Sequence, residues 1–206
     1  VQVLTAEVSD AAIASLTDRE EACVERAILK RRREFATGRL LARHGLLQHF
    51  GIRDFDLLKA DDRAPVWPRG IAGSVSHTDT RAWVALVDSA RATVGIDGED
   101  RAEMEPPLWR MVLLDEEVEY LKSLEPSQRN RRALVIFSAK ESLYKAQFPR
   151  TRQILGFKAV PVRLFDFGPI DSELNVWVGP FHVGDVYQDR WLDDGCVLTS
   201  AWIPVA

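Results

Sequence analysis

The chain has 206 residues, 46% hydrophobic and 28% charged, with a formal net charge of −4. That is enough apolar material for a sizeable core, as one large domain or two of roughly 100 residues each, and no run approaches the ~18 apolar residues of a membrane span. The acidic balance weighs against a general nucleic-acid binder, and the N-terminus lacks the charged and apolar regions of a signal peptide, so a cytoplasmic protein is expected. Cys23 and Cys196 match no metal-ligand spacing and are expected to be buried free thiols.

Along residues 10–50 the apolar positions Ile28, Phe35, Leu40, Leu41, Leu46 and Leu47 recur at helical spacing, and Gly51 ends the last helix. This stretch is basic, with Arg26, Lys30, Arg31, Arg32, Arg33, Arg39 and Arg43 opposed by Glu34. The segment Arg63-Ala-Pro-Val-Trp-Pro68 cannot be helical, because its prolines force extended backbone before them. Strand-like runs follow at residues 71–76, 82–87 and 93–97. The chain then turns acidic from Asp97 to Glu119, and a basic region beside an acidic one suggests a polyanion held at one place and a metal at another. Helices are expected at residues 114–124 and 127–148, the second closed by Pro149, and strands at 158–167, 173–178 and 196–203. The order predicts an α+β protein of two similar halves, 1–100 and 101–206, each with helices and a three-stranded meander.

Two short segments carry the chemistry. In Val94-Gly-Ile-Asp-Gly-Glu99, at the end of an apolar strand, Asp97 and Glu99 are two residues apart and share a face. Such paired carboxylates suit a hard cation such as Mg²⁺, or they form a solvent-facing acidic turn. In Phe137-Ser-Ala-Lys-Glu-Ser-Leu-Tyr-Lys145, Glu141 and Lys145 lie one helical turn apart with Lys140 beside them. They read either as an i,i+4 ion pair or as a metal ligand with lysines for phosphate oxygens.

Together the segments resemble the two signature motifs of the 4′-phosphopantetheinyl transferases, G-[IV]-D-x-E followed by [FW]-x-x-K-E-x-x-x-K. Gly73-Ser-Val-Ser-His77 is similar to the family's [IV]-S-H strand, and Glu34-Phe-Ala-Thr-Gly-Arg-Leu-Leu-Ala-Arg43 resembles the basic helix of the branch serving siderophore synthetases. The Arg63–Pro68 turn also occurs in that branch. One departure is Gly98, where the family often has a larger aliphatic residue.

The resemblance implies a Mg²⁺-dependent enzyme, with Mn²⁺ as a substitute, that moves the phosphopantetheine arm of coenzyme A onto a carrier-protein serine. The active site would lie in a cleft between the halves. Asp97, Glu99 and Glu141 would be the metal ligands, Glu141 also the general base, directly or through a water, and Lys145 with Lys140 would contact the pyrophosphate. Ser76 and His77 would hold the 3′-phosphate with Lys30, Arg31 and Arg39, while Arg63 and Pro65 would lie against adenine. The expected partner is an apo acyl, peptidyl or aryl carrier domain, with a monomeric enzyme, no nucleic acid and no membrane insertion. Residues 108–114, unusually apolar for a connection, either dock the carrier or belong to the core. Two other readings use the same residues: a metal-dependent pyrophosphate hydrolase with water as nucleophile, and a non-catalytic nucleotide-binding module built on residues 30–43.

Overall fold

The computed structural model describes residues 1–100, 104–164, 170–172, 187–193 and 196–205. The chain divides into two compact units, Val1–Ala92 and Thr93–Ala206.

The first unit opens with strand β1 (Gln2–Glu7), a 3-10 turn at Asp10–Ser15 and helix α1 (Asp18–Ala22). Helix α2 (Leu29–Phe50) is followed by strands β2 (Ile71–His77) and β3 (Arg81–Asp88). Thr17 starts α1 with a reciprocal cap: its hydroxyl accepts from Glu20 N at 3.3 Å while the Glu20 carboxylate accepts from Thr17 N at 3.2 Å. Helix α2 ends as the sequence predicts, at Gly51, whose φ of 68° suits a residue without Cβ. The sheet order is β1-β3-β2, antiparallel throughout, with Val84 of β3 facing both Leu4 and Val75. Leu41, Ala42 and Leu46 of α2 pack with Leu57, Val84 and Leu86 as the core of this unit.

The third strand of this sheet is therefore β1, at the chain's start, and not the run at residues 93–97 expected to complete a meander. That run belongs to strand β4 (Ala92–Glu99), which neighbours a strand of the second unit. The division falls at Ala92/Thr93 rather than at 100/101, so Asp97 and Glu99 group with the second unit and not with the first.

The second unit continues with α3 (Pro106–Val112), α4 (Asp115–Ser123) and α5 (Pro126–Thr151). After a 3-10 turn at Phe157–Ala159 come β5 (Val162–Leu164), β6 (Ile170–Ser172), β7 (Tyr187–Asp193) and β8 (Val197–Pro204). The sheet order is β4-β8-β7-β6-β5. The strand expected at 173–178 lies outside the described residues, and the one expected at 158–167 begins only at Val162. Pro149 does not close α5; it sits in the last turn, and the helix stops at Arg152, which takes a left-handed φ of 57°. Cys23 and Cys196 are both free but half-buried rather than fully enclosed. Among the described residues no helix is long and apolar enough to cross a membrane.

Helix α5 carries the core of this unit. Leu134, Val135, Ile136 and Ala139 are buried against Val112, Leu113 and Leu121 from α3, its C-terminal end and α4, and Leu143 and Ala146 against Ala201 and Ile203 of β8. Strand β4 meets α5 at Gly95. A Cβ there would fall 1.8 Å from the carbonyl oxygen of Ser142 and 2.6 Å from the amide nitrogen of Ala146, both backbone atoms of α5. Beside this contact, Ser138 Oγ donates to Asp97 O at 3.2 Å and lies 2.8 Å from Thr199 Oγ1 of β8, which donates to Ser142 Oγ at 3.2 Å. These buried hydroxyls satisfy one another and tie the helix to both strands. Because two backbones cannot move apart without breaking that ladder, Gly95→Ala is expected to cost about 3 kcal/mol or more. Chemical denaturation measures it, and a loss below about 1 kcal/mol would contradict the close approach.

Candidate active site

The residues singled out by sequence fall into two groups, one in each unit. In the second unit, the strand-to-helix contact at Gly95 sets Asp97 next to α5. Lys145 Nζ donates to Asp97 Oδ1 at 2.6 Å and to Ile96 O at 3.1 Å, so the lysine bridges helix to strand. Asp97 is buried, at 5% exposure. Glu141, one turn before Lys145, is half-buried. Desolvation pushes its carboxyl above the usual carboxylate range, the Lys145 charge opposes that shift, and the Asp97 charge adds to it. Those three charges therefore act on one another. Glu99 is half-buried, two residues further along β4.

Among the described residues no group of three or more His, Cys, Asp or Glu side chains is gathered closely enough to hold a metal by itself. The assembly is two carboxylates and a lysine rather than a cage. Such a donor set fits Mg²⁺, which is commonly bound through one or two carboxylates together with substrate phosphates.

Lys140 does not join this group, contrary to the expectation that it contacts the pyrophosphate. Residues one apart on a helix point about 100° from each other, so Lys140 cannot share the face of Glu141 and Lys145. Its side chain is 1% exposed and its ammonium donates to Glu117 Oε2 at 2.7 Å and Val112 O at 3.0 Å. Burial lowers its pKa, and the Glu117 carboxylate opposes that shift. Glu117 in turn accepts from Leu114 N and Val162 N, both at 2.8 Å. Lys140 thus fastens α5 to α3 and α4 instead of reaching for a phosphate.

In the first unit, His77 at the end of β2 meets α2. Arg31 Nη1 donates to His77 Nε2, and both residues share Glu34, whose Oε2 lies 3.2 Å from Arg31 Nη1 and 3.4 Å from His77 Nδ1. Lys30 is nearby in sequence and pairs with Asp79 at 2.5 Å. Ser76 is buried and, as the neighbour of His77 on a strand, faces the opposite side of the sheet. Arg39 is also turned inward. At 5% exposure its guanidinium stacks 4.0 Å above the Phe35 ring, and burial lowers its pKa to about 10. The cluster that reaches the surface is Arg31, His77 and Lys30; Ser76 and Arg39 are not part of it. Arg32 and Arg33 pair with Glu21 and Asp10, each at 2.5 Å, as a solvated helix face would.

The turn carrying Arg63 and Pro65 is closed by Arg63 N to Ala60 O at 2.8 Å and Ala60 N to Ala64 O at 2.9 Å. Arg63 itself is exposed with a left-handed φ of 68°. On α3, Leu108 and Met111 point outward while Val112 and the following Leu113 are buried, so the apolar segment divides between surface and core. Glu34 and Glu117 are partners that the motifs did not point to: Glu34 stands three residues from Arg31, which was a readable signal, whereas Glu117 meets Lys140, 23 residues away, only through the fold.

The same two regions are matched by known protein families. A family model described as the 4′-phosphopantetheinyl transferase N-terminal domain matches residues 19–87, and one described as the 4′-phosphopantetheinyl transferase superfamily matches residues 93–190. The 4′-phosphopantetheinyl transferase Npt of Nocardia iowensis is 32% identical over 182 residues, 88% of this chain and 79% of that protein. The chain belongs to the 4′-phosphopantetheinyl transferase superfamily. It is accordingly an enzyme, as its motifs predict. The 4′-phosphopantetheinyl transferase Svp of Streptomyces mobaraensis is 34% identical over 198 residues, 93% of this chain and 80% of that protein. Enterobactin synthase component D of Salmonella typhimurium is 35% identical over 140 residues, 65% of this chain and 55% of that protein. The boundary between the two matched regions brackets the division of the molecule at Ala92/Thr93.

Lys140→Met should leave the Glu117 carboxylate buried without its cation and cost about 3–5 kcal/mol in a denaturant titration. Coenzyme A affinity of the folded protein should stay unchanged. A variant of full stability that binds coenzyme A weakly would return Lys140 to the phosphate.

Proposed function

We propose that this enzyme transfers the 4′-phosphopantetheine group of coenzyme A to a serine hydroxyl of an apo carrier protein, releasing 3′,5′-ADP. The observation that carries the reading is the grouping of Asp97, Glu141 and Lys145 around the contact at Gly95. In the reaction the serine oxygen bonds to the β-phosphorus, the bond from that phosphorus to the bridging oxygen breaks, and negative charge builds on departing 3′,5′-ADP. Asp97 and Glu141, with Glu99 as a further donor, would hold Mg²⁺ or Mn²⁺. When bound, the ion supplies positive charge against the pyrophosphate oxygens.

The chain's own residues supply the rest. Lys145 presents a compact cation to the pyrophosphate, stabilising charge that is largest in the transition state. Glu141 takes the serine proton, directly or through one water. Burial holds its carboxyl above the usual range in the metal-free protein, and a bound cation would oppose that shift, which favours the route through a water. In the first unit, Arg31 and His77 with Lys30 form the grip for the 3′-phosphate, and the rigid Arg63–Pro65 turn serves adenine. The outward Leu108 and Met111 offer apolar surface to a carrier domain. Similarity to enterobactin synthase component D favours carrier domains of siderophore or related peptide synthetases as substrates.

Glu141→Gln separates this chemistry from mere folding. Transfer, followed by the intact mass of the carrier, should fall at least a thousandfold, in line with loss of both base and ligand; activity within tenfold of the unaltered enzyme would refute the assignment. Stability should move the other way. A carboxyl whose folded pKa is raised destabilises the native state once pH climbs above the ordinary carboxylate range. In metal-free buffer the variant should therefore melt higher than the unaltered protein at neutral pH. The gap should close as pH falls to about 4, where the native carboxyl is protonated.

A further inference from the structure

We propose that Glu34 is the positioning residue of the phosphate grip, and that it couples phosphate binding to protonation of His77. The proposal rests on the reading that this cluster takes the 3′-phosphate of coenzyme A.

A guanidinium only donates, so the ring nitrogen that Arg31 Nη1 approaches, His77 Nε2, must be an acceptor. The imidazole proton is then assigned to Nδ1, which lies 3.4 Å from the Glu34 Oε2 carboxylate. The same Oε2 accepts from Arg31 Nη1 at 3.2 Å. One buried carboxylate, 7% exposed, thus fixes the ring tautomer and the guanidinium position together, while His77 and Arg31 remain 28% and 47% exposed. Glu34 can do this because it stands on the first turns of α2, three residues after Arg31, so both side chains lie on one helix face.

The groups shown near His77 come from α2, from β3 and from the turn after β2. Across β3 its pairing partner is Ala82, which carries no charge. Lys30 on α2 and Asp79 after β2 pair at 2.5 Å. Glu34 faces the ring from the helix, 3.4 Å from Nδ1.

A phosphate changes the balance. It is an acceptor, and a neutral ring with its proton on Nδ1 has nothing to donate from Nε2. Arg31 turns its Nη1 from Nε2 to a phosphate oxygen, Nε2 takes a proton from solvent, and the new Nε2–H donates to another phosphate oxygen. The imidazolium is kept by Glu34 at Nδ1, the arrangement by which a carboxylate sets the state of a histidine elsewhere. Glu34 does not touch the phosphate; it makes the two groups that do into a matched pair of cations.

Calorimetry of coenzyme A and 3′-dephospho-coenzyme A binding, in two buffers of different ionisation enthalpy at about pH 7.5, tests this. That pH lies above the ordinary histidine value near 6.5 and the second phosphate ionisation near 6. The unaltered protein should take up protons with coenzyme A beyond any uptake with the dephospho form. Glu34→Gln, which keeps size but not charge, should remove that excess and weaken coenzyme A roughly tenfold, leaving 3′-dephospho-coenzyme A unchanged. His77→Ala should show the same selective loss. If His77→Ala loses coenzyme A selectively while Glu34→Gln keeps both affinity and proton uptake, the role of Glu34 is overturned and the phosphate site stands. Equal loss of both ligands in Glu34→Gln, with a lower melting temperature, overturns it in favour of simple structural support. Equal loss of both ligands in His77→Ala removes the phosphate reading and this proposal with it. Nitrogen chemical shifts of His77 in the unaltered protein give a check that needs no variant. They should report an Nδ1–H neutral ring in the free protein and a doubly protonated ring with coenzyme A; an Nε2–H neutral ring in the free protein overturns the proposal.

Discussion

At Gly95 the backbone of β4 lies so near α5 that a Cβ would sit 1.8 Å from a helix carbonyl. Strand and helix usually pack through side chains, about a nanometre between their axes, and here one side chain is left out so that the backbones meet. Asp97 is two residues on, pointing to the same side of the strand as Gly95. It therefore arrives against the helix where Lys145 can donate to it at 2.6 Å and where Glu141 feels its charge. The hydroxyls of Ser138, Thr199 and Ser142 hold the arrangement from the buried side. A motif beginning with glycine is thus a packing requirement first and a chemical signature second: the glycine permits the approach, and the carboxylate benefits from it.

Each unit also fastens a short helix to a long one through a buried glutamate. Glu20 is fully buried at the third position of α1, bonded to the start of its own helix, to Arg43 of α2 and to Leu57 N at 3.1 Å. Glu117 occupies the third position of α4 and bonds in the same three ways: to Leu114 N, to Lys140 of α5 and to Val162 N. Removing one partner of such a pair costs far more than the pair contributes, so the cations are fixed in place and unavailable to a substrate. These contacts explain why Arg43 and Lys140 stand outside the chemistry.

The sequence was most readable where local rules decide the outcome. Gly51 had to end α2, the prolines around Val66 had to stay extended, and the pair Glu141 and Lys145 had to share a helix face. The segment Gly95 to Glu99 announced its carboxylates but not its neighbours. A run of buried residues on both faces carries no alternation to reveal which sheet it joins, and nearness in sequence wrongly favoured β3 over β8. Strand β1 did alternate, with Leu4 and Ala6 turned inward between exposed residues, and a two-residue period was there to be seen. Lys140 could have been set aside by helix geometry alone, since its neighbour Glu141 must look elsewhere. Ser76 likewise could not accompany His77 on one face of a strand. Glu34 was harder, because its partner His77 is 43 residues away and only the fold brings them together.

Transfer to a carrier serine and hydrolysis of coenzyme A would draw on the same carboxylates and lysine, and they differ in the nucleophile. The most direct measurement follows 3′,5′-ADP release from coenzyme A and Mg²⁺, with and without an apo carrier domain, alongside the carrier's intact mass. Transfer requires release only when the carrier is present, matched one for one by a carrier mass increase that is absent when its serine is replaced by alanine. Release at the same rate without a carrier, with no gain in carrier mass, would contradict it.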